Sequence, residues 1–458
     1  MEIILEKKTS KLNKLKRHIF EFHIIEYLTI RDLLKCLFIN RQISKLIQNY
    51  IPVSNFMEII RSSRNISYNI FFNNYGIEYR KLCNNLYYMN ANDRQQIEDL
   101  FYIYKLKNIT KLDLSEMQMG PKDILRLERL LPKLPWVKSI TRLDISSNRF
   151  SNDNLYKIAN VVNTHTNLEC LKLNRTNIGG ICDIVGLLIR ENKTLKEIHL
   201  ENNLISLIDV EFLFESLEEN TTLEYLNLTK NDITEESVHL ICNYFKQNRH
   251  LKALSLAQNK ILNRGFCSMA TALENNTNIS RLNMSRCEIN FANHENGQFD
   301  KLLNRLVTLN IGSNSFSSNC LTFLAKNIKL NTCIQNLGLS NIVRFSQDLN
   351  VFNLVCTALA NNNCLNTLDL STNNIDNKML DIFLIVVKEN KSIAVLNLEG
   401  NLFDSNSLKT LLDLLKTNNV LQTIYIGRNK KLVSISDDLK SHEMFLRLVI
   451  ANNTPQDI

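Results

Sequence analysis

A chain of 458 residues with 44% hydrophobic and 22% charged residues has the make-up of a folded protein and the length for a large buried core. Its formal charge of +8 is spread thinly, which argues against nucleic acid, whose binders concentrate basic side chains on one face. No run of about 18 apolar residues occurs, so no membrane-spanning helix is expected.

The first seventeen residues, MEIILEKKTSKLNKLKR, mix acids with lysines and carry no signal-peptide core. Residues 18–47 then read HIFEFHIIEYLTIRDLLKCLFINRQISKLI. Ile24, Ile25 and Leu28 close a first apolar helix. Thr29 opens a second, with Asp32 three residues on as in a capping box. Leu33, Leu34 and Leu37 follow at helical spacing, and Ile39, Ile43, Leu46 and Ile47 form a third amphipathic run. Three such short helices cannot bury all their aliphatic side chains alone, and a partner helix lying in a groove is one solution.

This stretch resembles the F-box. Ile24 and Ile25 fill its aliphatic pair, and Tyr27 and Leu28 its aromatic-Leu. Asp32, Leu33 and Leu34 fill its Asp-Leu-Leu, and Ile39, Asn40, Arg41, Leu46 and Ile47 its end. It departs from the family where the usual Leu-Pro opening is replaced near Lys16 and Arg17, and where Ile43 replaces the usual Trp. The resemblance implies docking on a Skp1-like adaptor, and through it a cullin, by Ile24, Tyr27, Leu28, Leu33, Leu34, Ile39 and Ile43. The alternative is a plain helical cap. Residues 51–108, rich in Tyr, Phe and Asn, read as helices covering the open N-terminal end of the downstream core.

From Ile109 a phrase LxxLxLxxNx(I/L/F) recurs about every 28 residues, as in LEYLNLTKNDI from Leu223 and LKALSLAQNKI from Leu251. Twelve copies start at Ile109, Ile140, Leu168, Leu195, Leu223, Leu251, Ile279, Leu306, Ile334, Leu365, Ile393 and Leu421. Self-similarity at a fixed period means a solenoid. Each phrase predicts a short strand with the Leu/Ile positions inward, so that in one copy Leu223, Leu226, Leu228 and Ile233 are buried while Tyr225 and Asn227 face out. The ninth position is Asn in eight copies, suited to satisfying backbone groups at a bend. Met117 and Ile342 stand there in the two 31-residue repeats, where irregular backbone is expected. The second half of each repeat predicts a helix, with stripes such as Val210, Leu213, Phe214, Leu217 and Phe266, Met269, Ala270, Leu273. Asn follows most of these helices, for example Asn192, Asn220, Asn276, Asn362 and Asn418, and is expected in the left-handed conformation that ends helices.

A strand–helix repeat of this length resembles the ribonuclease-inhibitor-like leucine-rich repeats of intracellular proteins. The expected fold is α/β: a horseshoe with a parallel inner sheet, outer helices and a three-helix F-box-like segment. The expected division is 1–50 F-box-like, 51–108 linker and N-terminal cap, 109–432 repeats, and 433–458 a C-terminal cap, with a capping helix over 436–453 that has Asp437 and Asp438 near its start.

The eleven Cys show no CxxC pair and no Cys/His cluster in sequence, and Cys182, Cys242 and Cys356 fall on buried helix stripes. They read as reduced packing residues, and no metal or cofactor is expected. Sequons such as that of Asn227, which lies within a strand, follow from the high Asn content and are not read as glycosylation sites. No phosphate loop, HExxH or GxSxG occurs, and the eight His are scattered, so no enzyme is expected.

A solenoid offers an extended surface for a partner. The candidates are outward strand and turn residues: Lys172, Arg175, Glu197, His199, Glu201, Tyr225, Lys230, Arg281 and Arg286, then Tyr425 and Arg428. Between them lie small residues, including Thr308, Asn310, Gly312, Asn336, Gly338, Ser340 and Thr367. The leading expectation is a substrate receptor of a cullin–RING ubiquitin ligase. The alternatives are a protein-binding scaffold or inhibitor without a ubiquitin link, and a regulator of a small GTPase. The F-box resemblance implies a cytoplasmic or nuclear location, or the host cytosol if the chain is a secreted bacterial effector.

Overall fold

The computed structural model describes residues 111–116, 119–133, 137–245, 250–276, 278–291, 296–429 and 448–449. They fall into two units by contact, one including Lys122–Arg142 and the other Asp113–Pro121 with Leu143 onward. The first contributes most of helix α1 (Pro121–Leu130) and two short 3-10 turns, with Ile124, Leu131, Val137 and Ile140 buried. The F-box-like segment, residues 51–108, Met117 and Asp437–Asp438 lie outside the described residues.

Strands recur at each expected copy: β1 (Lys111–Asp113), β2 (Arg142–Asp144), β3 (Cys170–Lys172), β4 (Glu197–His199), β5 (Tyr225–Asn227), β6 (Ala253–Ser255) and β7 (Arg281–Asn283). After the two-residue β8 (Asn290–Phe291) come β9 (Thr308–Asn310), β10 (Ser315–Phe316), β11 (Asn336–Gly338), β12 (Thr367–Asp369), β13 (Val395–Asn397) and β14 (Thr423–Tyr425). All but β8 and β10 lie in one sheet in chain order, with parallel, unslipped pairings such as Leu226↔Leu254 and Leu368↔Leu396. β8 and β10 make a separate parallel pair.

Between strands run helices, among them α2 (Asn152–His165), α3 (Cys182–Glu191), α4 (Leu207–Glu218) and α5 (Glu235–Phe245). From α2 onward successive helices contact one another, and the strands of the sheet pair in order, which makes two layers. The core lies between them. Leu223, Leu226, Leu228 and Ile233 are buried, as are the stripes from Val210 and Phe266 and the later one of Leu408, Leu411, Leu412 and Leu415. This is a leucine-rich-repeat solenoid.

Two ladders of Asn side chains tie the repeats together, one at each end of the strands. In the first, Asn231 Oδ1 accepts the N–H groups of Asn203 and Ile205 in the preceding repeat. Its Nδ2 donates to Leu200 O and Leu228 O. Asn259 and Asn401 repeat the pattern. Cys287 substitutes with a thiol donor to Leu256 O.

The second ladder replaces the left-handed caps expected after the helices. Asn192, Asn276, Asn362 and Asn418 are extended, with φ of −74, −91, −80 and −90°. Asn362 Oδ1 accepts from the N–H groups of Cys364 and Leu365, which fixes the entry to the next strand. Its Nδ2 donates to Ile328 O and Asn331 O of the preceding repeat. Asn is selected here for its amide, which reaches groups both ahead and behind, and not for tolerance of positive φ.

Two other expectations need correction. The backbone at Ile342 is regular: Leu339 and Asn341 donate to Asp369 O and Ser371 O as their counterparts do. The ladder acts backward, so Asn373 Oδ1 still accepts from Ile342 N–H, and the extra residues form a short helix, Arg344–Gln347, downstream. At the C-terminal end, residues 448–449 are not helical. They form β15 (Leu448–Val449), parallel to β14, where they pair otherwise open backbone groups of the edge strand.

Candidate functional site

The unslipped register turns the outward strand positions into rows. One row runs Cys170, Glu197, Tyr225, Ala253, Arg281, Thr308. The next runs Lys172, His199, Asn227, Ser255, Asn283, Asn310, and continues through Gly338 and Asp369 to Asn397 and Tyr425. His199, Tyr225 and Tyr425 are half-buried and Arg281 is exposed.

The remaining candidates, Arg175, Lys230, Arg286 and Arg428, occupy one equivalent bend in four repeats. Their φ values are 56, 56, 54 and 57°, and every copy from Glu116 to Arg428 has positive φ there. Left-handed backbone at a non-glycine residue costs roughly 1–3 kcal/mol. It is held by backbone bonds to the next repeat: Arg175 N–H donates to Glu201 O at 2.8 Å, Lys230 N–H to Ala257 O at 2.8 Å and Arg286 N–H to Gly312 O at 3.0 Å. The bend carries all four side chains into solvent. Only the copy at Gly400 uses glycine.

Several outward polar residues serve the fold instead. Asn227, Asn283, Asn310 and Asn397 each accept, through Oδ1, the backbone N–H two residues on, as do Asp144 and Asp369. Gly338 leaves room for the Asn310 side chain, whose Oδ1 would lie 2.6 Å from an added Cβ. The small residues of these repeats are therefore partly a packing requirement of the rows. Phe291 and Phe299 are fully buried beside Phe266.

Stacking also gathers groups that sequence spacing hides. Contrary to the sequence reading of no Cys/His cluster, Cys170 stands one repeat from His199, and the donor atoms of Cys170, Glu197 and His199 lie within 4.8 Å of one another. Further along, Asp369 and Glu399 form an acidic pair. Burial pushes both carboxyls above their ordinary values; Arg428 offsets this at Glu399, and Asp369 adds to it. The signal for both groups was the register, read across copies instead of along one. The cysteines on helix stripes behave as expected: burial, with the charge of Asp209 and the hydrogen bond that the thiol donates to it, raises the Cys182 thiol, and burial raises that of Cys356.

No protein-family model and no functionally curated protein matches the chain. Among solved structures it is similar to an internalin from Listeria monocytogenes, with 20% identity, 75% of this chain and 96% of that one covered, and a TM-score of 0.39. A second is leiomodin-1 actin-binding site 2, with 21% identity, 33% of this chain and 84% of that one covered, and a TM-score of 0.28. Both scores lie below 0.5, and the solenoid assignment rests on the repeats, strand register and ladders described above. No helix among the described residues is long and apolar enough to cross a membrane.

Proposed function

We propose that this chain is a protein-binding scaffold that holds a partner across the outward face of its sheet. The observation that carries this is the alignment of Arg175, Lys230, Arg281, Arg286, Tyr225, Tyr425 and Arg428 on that face by one repeated backbone geometry. Arg and Tyr are enriched among interface hot spots. The fold sets where these side chains stand, and Arg175, Lys230, Arg281, Arg286 and Arg428 are exposed there.

The finer reading adds the pattern over residues 18–47. Its resemblance to the F-box supports a role as substrate receptor, with Leu28, Leu33 and Leu34 docking on a Skp1-like adaptor. Such a chain needs no catalytic residue, because its work is to hold a target near the ubiquitin-charged enzyme. The test is co-purification of the full chain with Skp1-like adaptor and cullin, against a variant with Leu33→Ala and Leu34→Ala. Recovery with the wild type and loss with the variant, the solenoid remaining folded, supports the receptor. Partner binding with no adaptor recovered leaves the scaffold alone, and recovery of a small GTPase alone favours the regulator.

A further inference from the structure

Glu197 and His199 are two apart on β4 and so stand on the same face. Cys170, on β3, is the register partner of Glu197. The three donor atoms lie within 4.8 Å of one another, the only such group of three among the described residues. His199 Nε2 is 3.9 Å from Glu197 Oε2. On the opposite flank of β4 the ring of Tyr225 meets His199 edge-on, with centroids 5.2 Å apart, which orients the imidazole. Equivalent positions elsewhere hold no such set: Ala253, Arg281 and Asn283 on β6 and β7, for example.

We propose that Cys170, Glu197 and His199 bind a divalent transition-metal ion of the zinc class. A thiolate and an imidazole suit zinc-like ions and disfavour magnesium and calcium, which take oxygen ligands. Bonds of about 2.0–2.3 Å place tetrahedral ligand atoms roughly 3.3–3.8 Å apart. The Glu197–His199 pair stands close to that spacing, and the group as a whole closes by about 1 Å through side-chain rotation. Three protein ligands leave a fourth position on the open side of the sheet for water or an incoming donor. On binding, Cys170 loses its thiol proton to solvent and the sulfur–metal bond forms; the imidazole binds neutral and nothing is oxidised or reduced. Lys172, level with His199, is a nearby positive charge that the thiolate and carboxylate must outweigh. The site stands whether or not a protein partner occupies the same face.

The test is titration of the reduced, metal-free full chain with Co2+. The expected result is one equivalent bound, with thiolate-to-cobalt charge-transfer absorption that Zn2+ displaces. Cys170→Ser should remove that absorption. His199→Gln should weaken binding by more than the roughly 10–100-fold that loss of an outer-shell partner costs. Because Cys170 is buried, circular dichroism accompanies each variant, and the half-buried His199 carries the test if Cys170→Ser fails to fold. Absence of the band in the wild type, its survival in Cys170→Ser, or unchanged affinity in His199→Gln would overturn the proposal. Survival would assign the metal to other thiols, such as the interacting pair Cys333 and Cys364.

Discussion

Asn231 Oδ1 accepts the backbone N–H of Asn203 at 2.8 Å, while Asn231 Nδ2 donates to Leu200 O at 3.0 Å. One amide thus replaces two backbone partners that the bend removes, and it does so across a repeat boundary. Both residues are buried, so water cannot substitute.

Asn231→Ala should therefore orphan Asn203 N–H, Ile205 N–H and Leu200 O together. Each buried unpaired group costs about 1–3 kcal/mol, with local relaxation offsetting part of the sum. Urea unfolding is expected to show a loss of at least about 2 kcal/mol. Asn227→Ala, on the outward face of the same repeat, loses a part-buried turn bond and should cost about 1 kcal/mol or less. Equal losses for the two variants would contradict the ladder account.

The second ladder makes a prediction opposite to that of a helix cap. Were Asn362 valued for left-handed backbone, glycine would be tolerated or better there. With φ of −80° and four amide bonds to Ile328, Asn331, Cys364 and Leu365, Asn362→Gly should instead cost about 2 kcal/mol or more. A variant at least as stable as wild type in urea would restore the cap reading.

The strand positions, buried stripes and first ladder were legible in the sequence because each depends on one residue type recurring at one offset. The second ladder was visible as a column of Asn, but its backbone geometry was not. Asn serves both left-handed caps and amide bridging, and spacing cannot separate the two. Regularity at Ile342 was missed because the ladder's direction, from each Asn to the repeat before it, is not written in any single copy. Cys170 with His199, and Asp369 with Glu399, needed the unslipped register of neighbouring strands before they could be seen as neighbours.

Asp369 and Glu399 also set a pH dependence. Both folded carboxyls titrate above their unfolded values of about 3.9 and 4.3. The folded state thus binds more protons than the unfolded one between those values and the raised ones, so stability falls as pH rises through that window. It is fully regained only below the unfolded values. Asp369→Asn should flatten its share of this dependence and be neutral or stabilising at pH 7, because Asn at the same position in β5, β7, β9 and β13 keeps the turn bond. Urea midpoints for wild type and variant, measured from about pH 3 to 8, should converge at the acid end. A variant that is less stable than wild type at pH 7, with an unchanged slope, would contradict the assignment.

The partner surface is tested by changing side chains on the outward face of the sheet. Arg175 and Arg281 are exposed, and Tyr425 is half-buried. Tyr225 alone among the four has a described ring contact, its edge-on packing with His199, worth about 0.5–1.5 kcal/mol. Alanine at Arg175, Tyr225, Arg281 and Tyr425 together should lower the melting temperature by no more than that contact accounts for. Partner affinity should fall far more, since hot-spot side chains contribute about 2 kcal/mol or more each. Calorimetry and binding measured on the same preparation separate these effects. Full partner binding by the quadruple variant would move the site off the sheet face, and the exposed apolar side chains Leu204, Ile208 and Phe212 around the start of α4 would be the next surface to change.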